Sequence, residues 1–299
     1  MRQSTPSRPT LQPDPRPHTL EFAAIGTEWQ IDSSLPFTPQ LEAAIAARVE
    51  SFDRTWSRFR DDSLVARIAR EPGRYVFPPE APRLFELYRR LYEATDAAVS
   101  PLVGRTLETL GYDRAYSLRP SSTPAPVPAW DDAIAWDGEA LTTVRPVVVD
   151  VGAAGKGYLV DLLCALLDEA GHDDYIVDGS GDLRRRGAPA MRVALEHPLD
   201  ASKAIGIANV TGAICSSATN RRAWADVHHV IDATTGLPTT RVIATWAIAD
   251  TALEADGLAT ALFFADPVRL AEHFEYQWVR MLATGRVEFS PHFDGELFT

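Results

Sequence analysis

The stretch VVVDVGAAGKGYLVD, residues 147 to 161, predicts a β-strand that passes through a glycine-rich turn into an α-helix. Such a turn lets backbone N–H groups approach an anion, which the N-terminus of the helix also favours. The stretch nonetheless fits no standard nucleotide motif, because it lacks GxGxxG and because Gly157 stands where a P-loop has Ser or Thr. The glycines could hold a phosphate, or they could let the helix pack closely on its strand.

The composition is that of an ordinary globular protein, since 299 residues with 45% hydrophobic content can bury one large core or two small ones. The net charge of -12 argues against a nucleic-acid binder, because affinity for a phosphate backbone comes from clustered Lys and Arg. The one dense basic run, 184–186, is expected to be a solvated strand end. Cys164 and Cys215 are expected to be buried thiols.

The N-terminal residues 1–18 contain five prolines and no apolar run, which predicts a disordered arm followed by a single domain over 19–299. The sequence has no run of 18 apolar residues, so we expect no transmembrane segment. It also shows no secretory h-region and no lipobox cysteine. From these features we expect the chain as written to stay in the cytoplasm.

Hydrophobic periodicity predicts helices and strands that do not alternate regularly, which favours an α+β fold over a doubly wound sheet. Helices are predicted over 38–55, from near residue 62 or 63, and over 81–95, 158–170 and 253–264. Strands are predicted over 18–35 with a break at 26–27, at 147–149, on both sides of a tight turn at 178–182, and at 191–195, 206–210 and 242–249. The proline-rich segment 113–146 is expected to be a surface connection with short edge strands.

Several polar clusters contain residues typical of binding sites, although each also has a structural explanation. Asp256 and Thr260 lie four residues apart on one helix face, and their oxygens suit Mg²⁺. Alternatively, the Asp256 charge could interact favourably with the positive end of the helix dipole, and the Thr260 hydroxyl could donate a hydrogen bond to a backbone carbonyl one turn earlier. In HHVIDATTGLP, His229 could be a general base or a structural histidine. Lys156 in the glycine-rich turn could meet a phosphate, and the DGSGD turn could orient Asp182.

The order of the motifs is more specific than any one of them. In sequence order and spacing, the chain resembles the ApbE family of FAD:protein FMN transferases over about residues 20–265, through IGTEW, SRFRDDS, VSPLVG, DVGAAGKGYLVD, VDGSGDLR, HHVIDATTGLP and EADGLATAL. The resemblance implies an α+β, ApbE-like fold of mixed or antiparallel sheets with packed helices. It also implies that the glycine-rich turn serves the diphosphate of FAD and a Mg²⁺ ion.

Carried over by position, the resemblance implies that the flavin nucleotide contacts Ile25, Phe59, Ala98, Val99, Ser100, Asp150, Lys156 and Ile231. It implies that Mg²⁺ is held by the Ala153 carbonyl, Asp256 and Thr260, and His229 is the candidate base. The chain departs from the family pattern at four positions: Ile25 stands where Met is common, Ser100 where Asp is, Asp178 where Asn is, and Ala233 where Pro is.

The expected function is Mg²⁺-dependent transfer of FMN from FAD to a Thr or Ser hydroxyl of an acceptor protein, with release of AMP. Two alternatives stay open from the sequence. The same site could hydrolyse FAD to FMN and AMP, or the chain could bind a flavin without turning it over. The presence of Asp256, Thr260, Lys156 and His229 together favours an enzyme, because binding alone would not require the whole set.

Overall fold

The computed structural model describes residues 16–225 and 227–298. Residues 1–15 of the predicted arm lie outside the described residues. At the end of that arm, the buried guanidinium of Arg16 donates to the Asp174 carboxylate over 2.6 Å, and the first strand begins at His18. Residues 16–18 therefore belong to the folded domain.

The helices of the described chain include those predicted over 38–55, 81–95, 158–170 and 253–264 and after residue 63. They are α1 Pro39–Trp56, α2 Leu64–Ile68, α3 Pro82–Ala94, α4 Gly104–Thr109, α5 Trp130–Ala133, α6 Gly155–Glu169, α7 Ala252–Ala261 and α8 Pro267–Ala271, with a 3₁₀ turn at Thr219–Arg222. Thr38, Ser63 and Thr251 cap α1, α2 and α7 by accepting backbone N–H bonds. No described helix is long and apolar enough to cross a membrane, and the cytoplasmic location stays a prediction.

The strands pair only in the antiparallel sense within the described residues. They are β1 His18–Ala24, β2 Thr27–Ser33, β3 Gly73–Val76, β4 Ile134–Trp136, β5 Ala140–Thr143, β6 Tyr175–Asp178, β7 Leu183–Arg186, β8 Met191–Glu196, β9 Ala204–Val210, β10 Ala213–Ala218, β11 Ala223–Trp224, β12 Val227–His228, β13 Ile231–Asp232, β14 Leu237–Pro238, β15 Val242–Ala249, β16 Gln277–Leu282, β17 Val287–Phe289 and β18 Gly295–Leu297. The main sheet has the order β1-β2-β6-β7-β10-β15-β16-β17, and smaller sheets have the orders β3-β5-β4 and β18-β9-β8.

The main sheet is covered on both faces, and its strand β15 is buried along most of its length. On β15, Ala247 and Ala249 belong to the core shared with the helices, whereas Trp246 and Ile248 pack with residues of the β18-β9-β8 sheet. Successive side chains of a strand point to opposite faces, so this division separates the two covering layers. The helix layer, with α1, α3, α6 and α7, is the one that positions the candidate site.

Three further predictions are confirmed. The break predicted at 26–27 is the turn of the β1–β2 hairpin, which lies one residue earlier: Ile25 and Gly26 form it with φ of 44° and 78°, and Thr27 begins β2. The segment 113–146 supplies the short strands β4 and β5, together with α5, which was not predicted. Cys164 and Cys215 are buried free thiols.

The prediction of a strand at 147–149 is wrong. Its three valines are buried, but the segment forms no ladder with the described strands. Instead Val147 N–H donates to the carbonyl of Ile68 over 3.4 Å, and Asp150 N–H donates to Pro101 over 2.8 Å. The β-branched residues fill the core beside Gly104 of α4, where an added Cβ would lie 2.5 Å from the Val148 carbonyl oxygen.

The prediction that 184–186 is a solvated strand end is also wrong. Arg184 forms an ion pair with Asp161 over 2.5 Å, and Arg186 forms one with Asp168 over the same distance. The Arg185 side chain is buried. These ion pairs therefore join strand β7 to helix α6, and acidic side chains of the protein neutralise the positive charge of the basic run.

Helices α6 and α7 cross in very close contact. A Cβ added to Gly157 of α6 would lie 2.0 Å from the carbonyl oxygen of Ala252 and 2.7 Å from Cβ of Asp256, so only glycine fits there. The Asp161 carboxylate, one turn further along α6, accepts the N–H groups of Ala252 and Leu253 at 3.0 Å each. Helix α6 thereby caps the N-terminus of α7 and fixes its position.

We expect Gly157→Ala to lower the free energy of unfolding by about 2 kcal/mol, because the added methyl meets a backbone carbonyl that cannot move away without separating the helices. This loss outweighs the gain of about 1 kcal/mol in helix propensity. Denaturant unfolding measures it. Gly73→Ala is the control, since its Cβ would meet only the Tyr75 ring at an ordinary 3.4 Å. Equal stability of Gly157→Ala and wild type would contradict the close crossing.

Candidate functional site

Residues 150–155 form the turn in which the sequence predicts an anion site, and the turn leads directly into α6. Its first residue, Asp150, accepts hydrogen bonds from Gly152 N–H at 2.7 Å and from Arg58 Nε at 2.5 Å. The Arg58 guanidinium is 3% exposed and also donates to the Tyr112 carbonyl at 2.8 Å. The Asp150 carboxylate is therefore held from both sides, and a ligand would meet only its remaining lone pairs.

Helix α7 presents two of the predicted cation ligands to the same turn. Thr260 Oγ1 donates to the Ala153 carbonyl at 3.2 Å. One turn earlier, the buried Asp256 carboxylate accepts the Gly157 N–H at 2.9 Å. Burial, and then the negative charge of Asp182, raise the pKa of Asp256 well above its usual range, since both disfavour the ionised carboxylate. Three oxygen donors therefore lie around the N-terminus of α6.

The Lys156 ammonium points to the turn between β6 and β7. Its Nζ lies 2.9 Å from Asp182 Oδ2 and donates to the carbonyls of Gly179 at 3.2 Å and Ser180 at 3.4 Å. An ammonium has three protons, and each has a partner within the protein. Although burial disfavours its charged form, the carboxylates of Asp182 and Asp256 raise the pKa of Lys156. Lys156 is thus a fixed positive charge beside the glycine-rich turn.

His229 follows strand β12, and its Nδ1 lies 3.3 Å from the carbonyl oxygen of Arg222. A carbonyl can only accept, so Nδ1 bears the proton and Nε2 keeps its lone pair. Burial, and then the Arg222 charge, lower the pKa of His229 to about 4. The imidazole is therefore neutral near pH 7. The neighbouring His228 contacts the Thr239 carbonyl through Nε2 at 2.8 Å, so the two histidines have different surroundings.

Phe59 and Ile231, two predicted flavin contacts, belong to one apolar cluster. The Phe59 ring stacks on Tyr116 with 5.2 Å between centroids, and the Arg58 guanidinium lies 4.2 Å from the centre of the Phe59 ring. Since Arg58 also binds Asp150, the aromatic cluster is adjacent to the glycine-rich turn. A flat aromatic ligand with a phosphate tail would match this combination of surfaces.

Residues 98–100 are buried and connect two other parts of the site. The carbonyl of Ala98 accepts the Ala233 N–H at 3.0 Å, and the next residue after the segment, Pro101, accepts the Asp150 N–H at 2.8 Å. The segment therefore lies between the glycine-rich turn and the polar turn that follows Ile231.

Ile25 lies at the tip of the β1–β2 hairpin, at an outer edge of the main sheet. Strand β2 pairs with β6 through Gln30 and Asp178, which brings the hairpin to the same end of the sheet as the 179–182 turn. The structure thus brings Asp256 and Thr260 to the turn at 150–155. His229 contacts the Arg222 carbonyl, and Ile25 lies at the tip of the neighbouring hairpin.

Two buried residues of this region were not singled out from the sequence. Arg58 precedes Phe59 in the SRFRDDS motif, and its place beside a predicted site residue was the available signal. Tyr88 belongs to the inward stripe of α3, where its hydroxyl gives no sequence signal that distinguishes it from a core aromatic residue. Both are apparent only from the packing.

The donor set fits a hard cation such as Mg²⁺, because a carboxylate, a hydroxyl and a carbonyl are all oxygen ligands. Among residues 16–225 and 227–298, no group of three or more His, Cys, Asp or Glu side chains is arranged to hold a metal. The set at α7 contains one such side chain, Asp256. A cation there would complete its coordination with water or ligand phosphates, as Mg²⁺ usually does.

A family model described as the ApbE family matches residues 25–282. The FAD:protein FMN transferase of Salmonella typhimurium is 28% identical over an alignment of 284 positions that covers 85% of this chain and 80% of that protein. Among solved structures, the flavin transferase ApbE from Vibrio cholerae has a TM-score of 0.76 at 22% identity, over 91% of this chain and 96% of that chain. The ApbE protein of Thermotoga maritima gives 0.78 at 23% identity, with the same coverage. These likenesses confirm the predicted α+β fold.

Proposed function

This chain belongs to the ApbE family, and from that premise we propose that it transfers FMN from FAD to a Thr or Ser hydroxyl of an acceptor protein and releases AMP. The observation that supports the proposal most directly is the arrangement around residues 150–155. There a glycine-rich helix N-terminus, a fixed lysine charge and a buried carboxylate occur together, which is more than flavin binding alone requires.

In the proposed reaction the acceptor hydroxyl oxygen attacks the diphosphate phosphorus on the flavin side of FAD. A new phosphorus–oxygen bond forms, and the bond from that phosphorus to the bridging oxygen breaks. AMP leaves with the bridging oxygen and its electron pair. The hydroxyl proton passes to Nε2 of His229, whose lone pair is free because Nδ1 faces the Arg222 carbonyl.

The diphosphate would be bound at the turn before α6, where the positive end of the helix dipole favours an anion. Lys156 would contribute positive charge from its place beside Asp182 without leaving that carboxylate. The apolar cluster of Phe59 and Ile231 would receive the flavin ring. The chain's own residues thus position the diphosphate between the base and the fixed charges.

We further propose that Mg²⁺ is held by the Ala153 carbonyl, Asp256 and Thr260, whose oxygens surround the N-terminus of α6. When bound, the ion would offset the negative charge of the diphosphate and of the departing AMP. The raised pKa of Asp256 is consistent with this role, because a buried carboxylate near another acidic group is stabilised by a cation.

The reaction is tested by incubating the chain with FAD, Mg²⁺ and a flavin-acceptor domain. We expect covalent FMN on an acceptor Thr or Ser by mass spectrometry, and one AMP released for each flavin attached. EDTA should stop both, and FMN should not replace FAD because it lacks the diphosphate bond. Free FMN and AMP formed at the same rate with and without acceptor would indicate hydrolysis instead. FAD binding without any AMP release would contradict both enzymatic functions.

For the base, we expect His229→Ala to lower kcat/KM by about 10² or more. His228→Gln is the matched control and should stay within a few-fold of wild type, since His228 faces the Thr239 carbonyl. Because a base is active when unprotonated, a pKa of about 4 implies that wild-type kcat/KM stays level from pH 8 to pH 5 and falls only below that. A loss centred near pH 6.5, or an active His229→Ala, would contradict this assignment.

For the cation, we expect Asp256→Asn to weaken Mn²⁺ or Mg²⁺ binding at least about tenfold and to abolish transfer, because the amide lacks the negative charge. The amide oxygen can still accept the Gly157 N–H, so thermal stability should be unchanged or higher. Calorimetry and thermal unfolding measure the two effects. Asp250→Asn, an exposed carboxylate just before α7, is the control. Cation affinity equal to wild type in Asp256→Asn would exclude the proposed ligand.

A further inference from the structure

Tyr88 lies on the inward face of α3 with only 1% of its surface exposed. Its hydroxyl has no hydrogen-bond partner among the described residues. The groups that act on its pKa include the backbone of Ala153 and Ala154 and the carboxylates of Asp150 and Asp256. The hydroxyl is therefore buried directly against the glycine-rich turn.

The packing of α3 on α7 explains how the hydroxyl reaches the turn. A Cβ added to Gly257, the residue after Asp256, would lie 2.8 Å from the Leu91 side chain and 3.1 Å from that of Leu87. The two helices therefore meet next to the candidate cation ligands. Tyr88 follows Leu87 on α3, and it belongs to the buried cluster that contains Ala154 and against which Ala153 packs.

The hydroxyl proton is available to a ligand. Neither the oxygen nor the proton of the hydroxyl has a hydrogen-bond partner among the described residues, and the Ala154 N–H donates to the Val151 carbonyl over 3.1 Å instead. The nearby Asp150 is held by Arg58 and Gly152, and Asp256 accepts the Gly157 N–H. A buried donor without an acceptor is costly, which favours a bound acceptor at this point.

We propose that Tyr88 is a further FAD-binding residue, whose hydroxyl donates a hydrogen bond to a diphosphate oxygen held at the 150–154 turn. This inference rests on the proposed function and adds a contact to it. Two carboxylates adjoin the turn and would repel a diphosphate, whereas a phenol supplies a proton without adding negative charge. The contact also compensates a hydroxyl that the fold otherwise leaves unsatisfied.

The test is Tyr88→Phe, which removes only the hydroxyl. We expect the Kd for FAD, measured by quenching of flavin fluorescence in the presence of Mg²⁺, to rise about tenfold, as for the loss of one hydrogen bond to a charged acceptor. The thermal stability of the free protein should be unchanged or higher, because an unsatisfied polar group is removed. Affinity for riboflavin, which has no phosphate, should not change.

Tyr158→Phe is the matched control. Tyr158 is also fully buried with an unpartnered hydroxyl, but its charged neighbours are Glu80, Arg83, Arg48 and Asp161, on the other side of α6. This variant should bind FAD like wild type.

FAD affinity of Tyr88→Phe within twofold of wild type would overturn the inference and leave the proposed function intact. An equal loss of FAD and riboflavin affinity would also overturn it, because the hydroxyl would then shape the pocket without contacting phosphate. A wild-type chain that binds no FAD would overturn the proposed function and this inference together.

Discussion

The close crossing of α6 and α7 is the contact on which the candidate site depends. At Gly157 the helices approach so closely that a single methyl group would overlap the Ala252 carbonyl. That approach brings Asp256 within hydrogen-bond distance of the Gly157 N–H and Thr260 within reach of the Ala153 carbonyl. The capping of α7 by Asp161 fixes the same arrangement from the side of the sheet. Oxygen atoms from two helices and a turn are thus positioned by backbone geometry.

The second feature of the site is a concentration of charge inside the protein. Lys156 forms an ion pair with Asp182 and is also influenced by the charge of Asp256, and Arg58 is buried against Asp150. Removing such groups from water costs several kcal/mol for each ion, so they add little to stability even when paired. Buried and mutually perturbed charges are instead typical of functional sites. The large apolar core of the main sheet and its two covering layers provides the stability that this arrangement requires.

Much of the fold could be predicted because its helices and outer strands follow regular hydrophobic periods, and the order of the motifs indicated the family. Val147 to Val149 could not be assigned correctly, since a buried irregular segment and a buried strand have the same apolar composition. The partners of Arg184 and Arg58 were equally inaccessible, because ion pairs join residues distant in sequence. For the site, residue types were predictable from the motifs, whereas the direction of Lys156 toward the 179–182 turn depends on tertiary packing.

The positions that depart from the family pattern lie outside the α6–α7 crossing. The hydrogen bonds made at Asp178 and Ala233 show what two of these departures change. Asp178 accepts the Gly181 N–H through a side-chain oxygen, which an asparagine could equally do, so this change adds charge without altering the turn. Ala233 differs more, because proline has no N–H and here that group donates to the Ala98 carbonyl. Ser100 and Ala233 also line one small cavity together. At this one place the chain therefore lacks a carboxylate and a proline ring, and it has a small cavity and a backbone hydrogen bond instead. The residues proposed to act on the diphosphate match the family pattern.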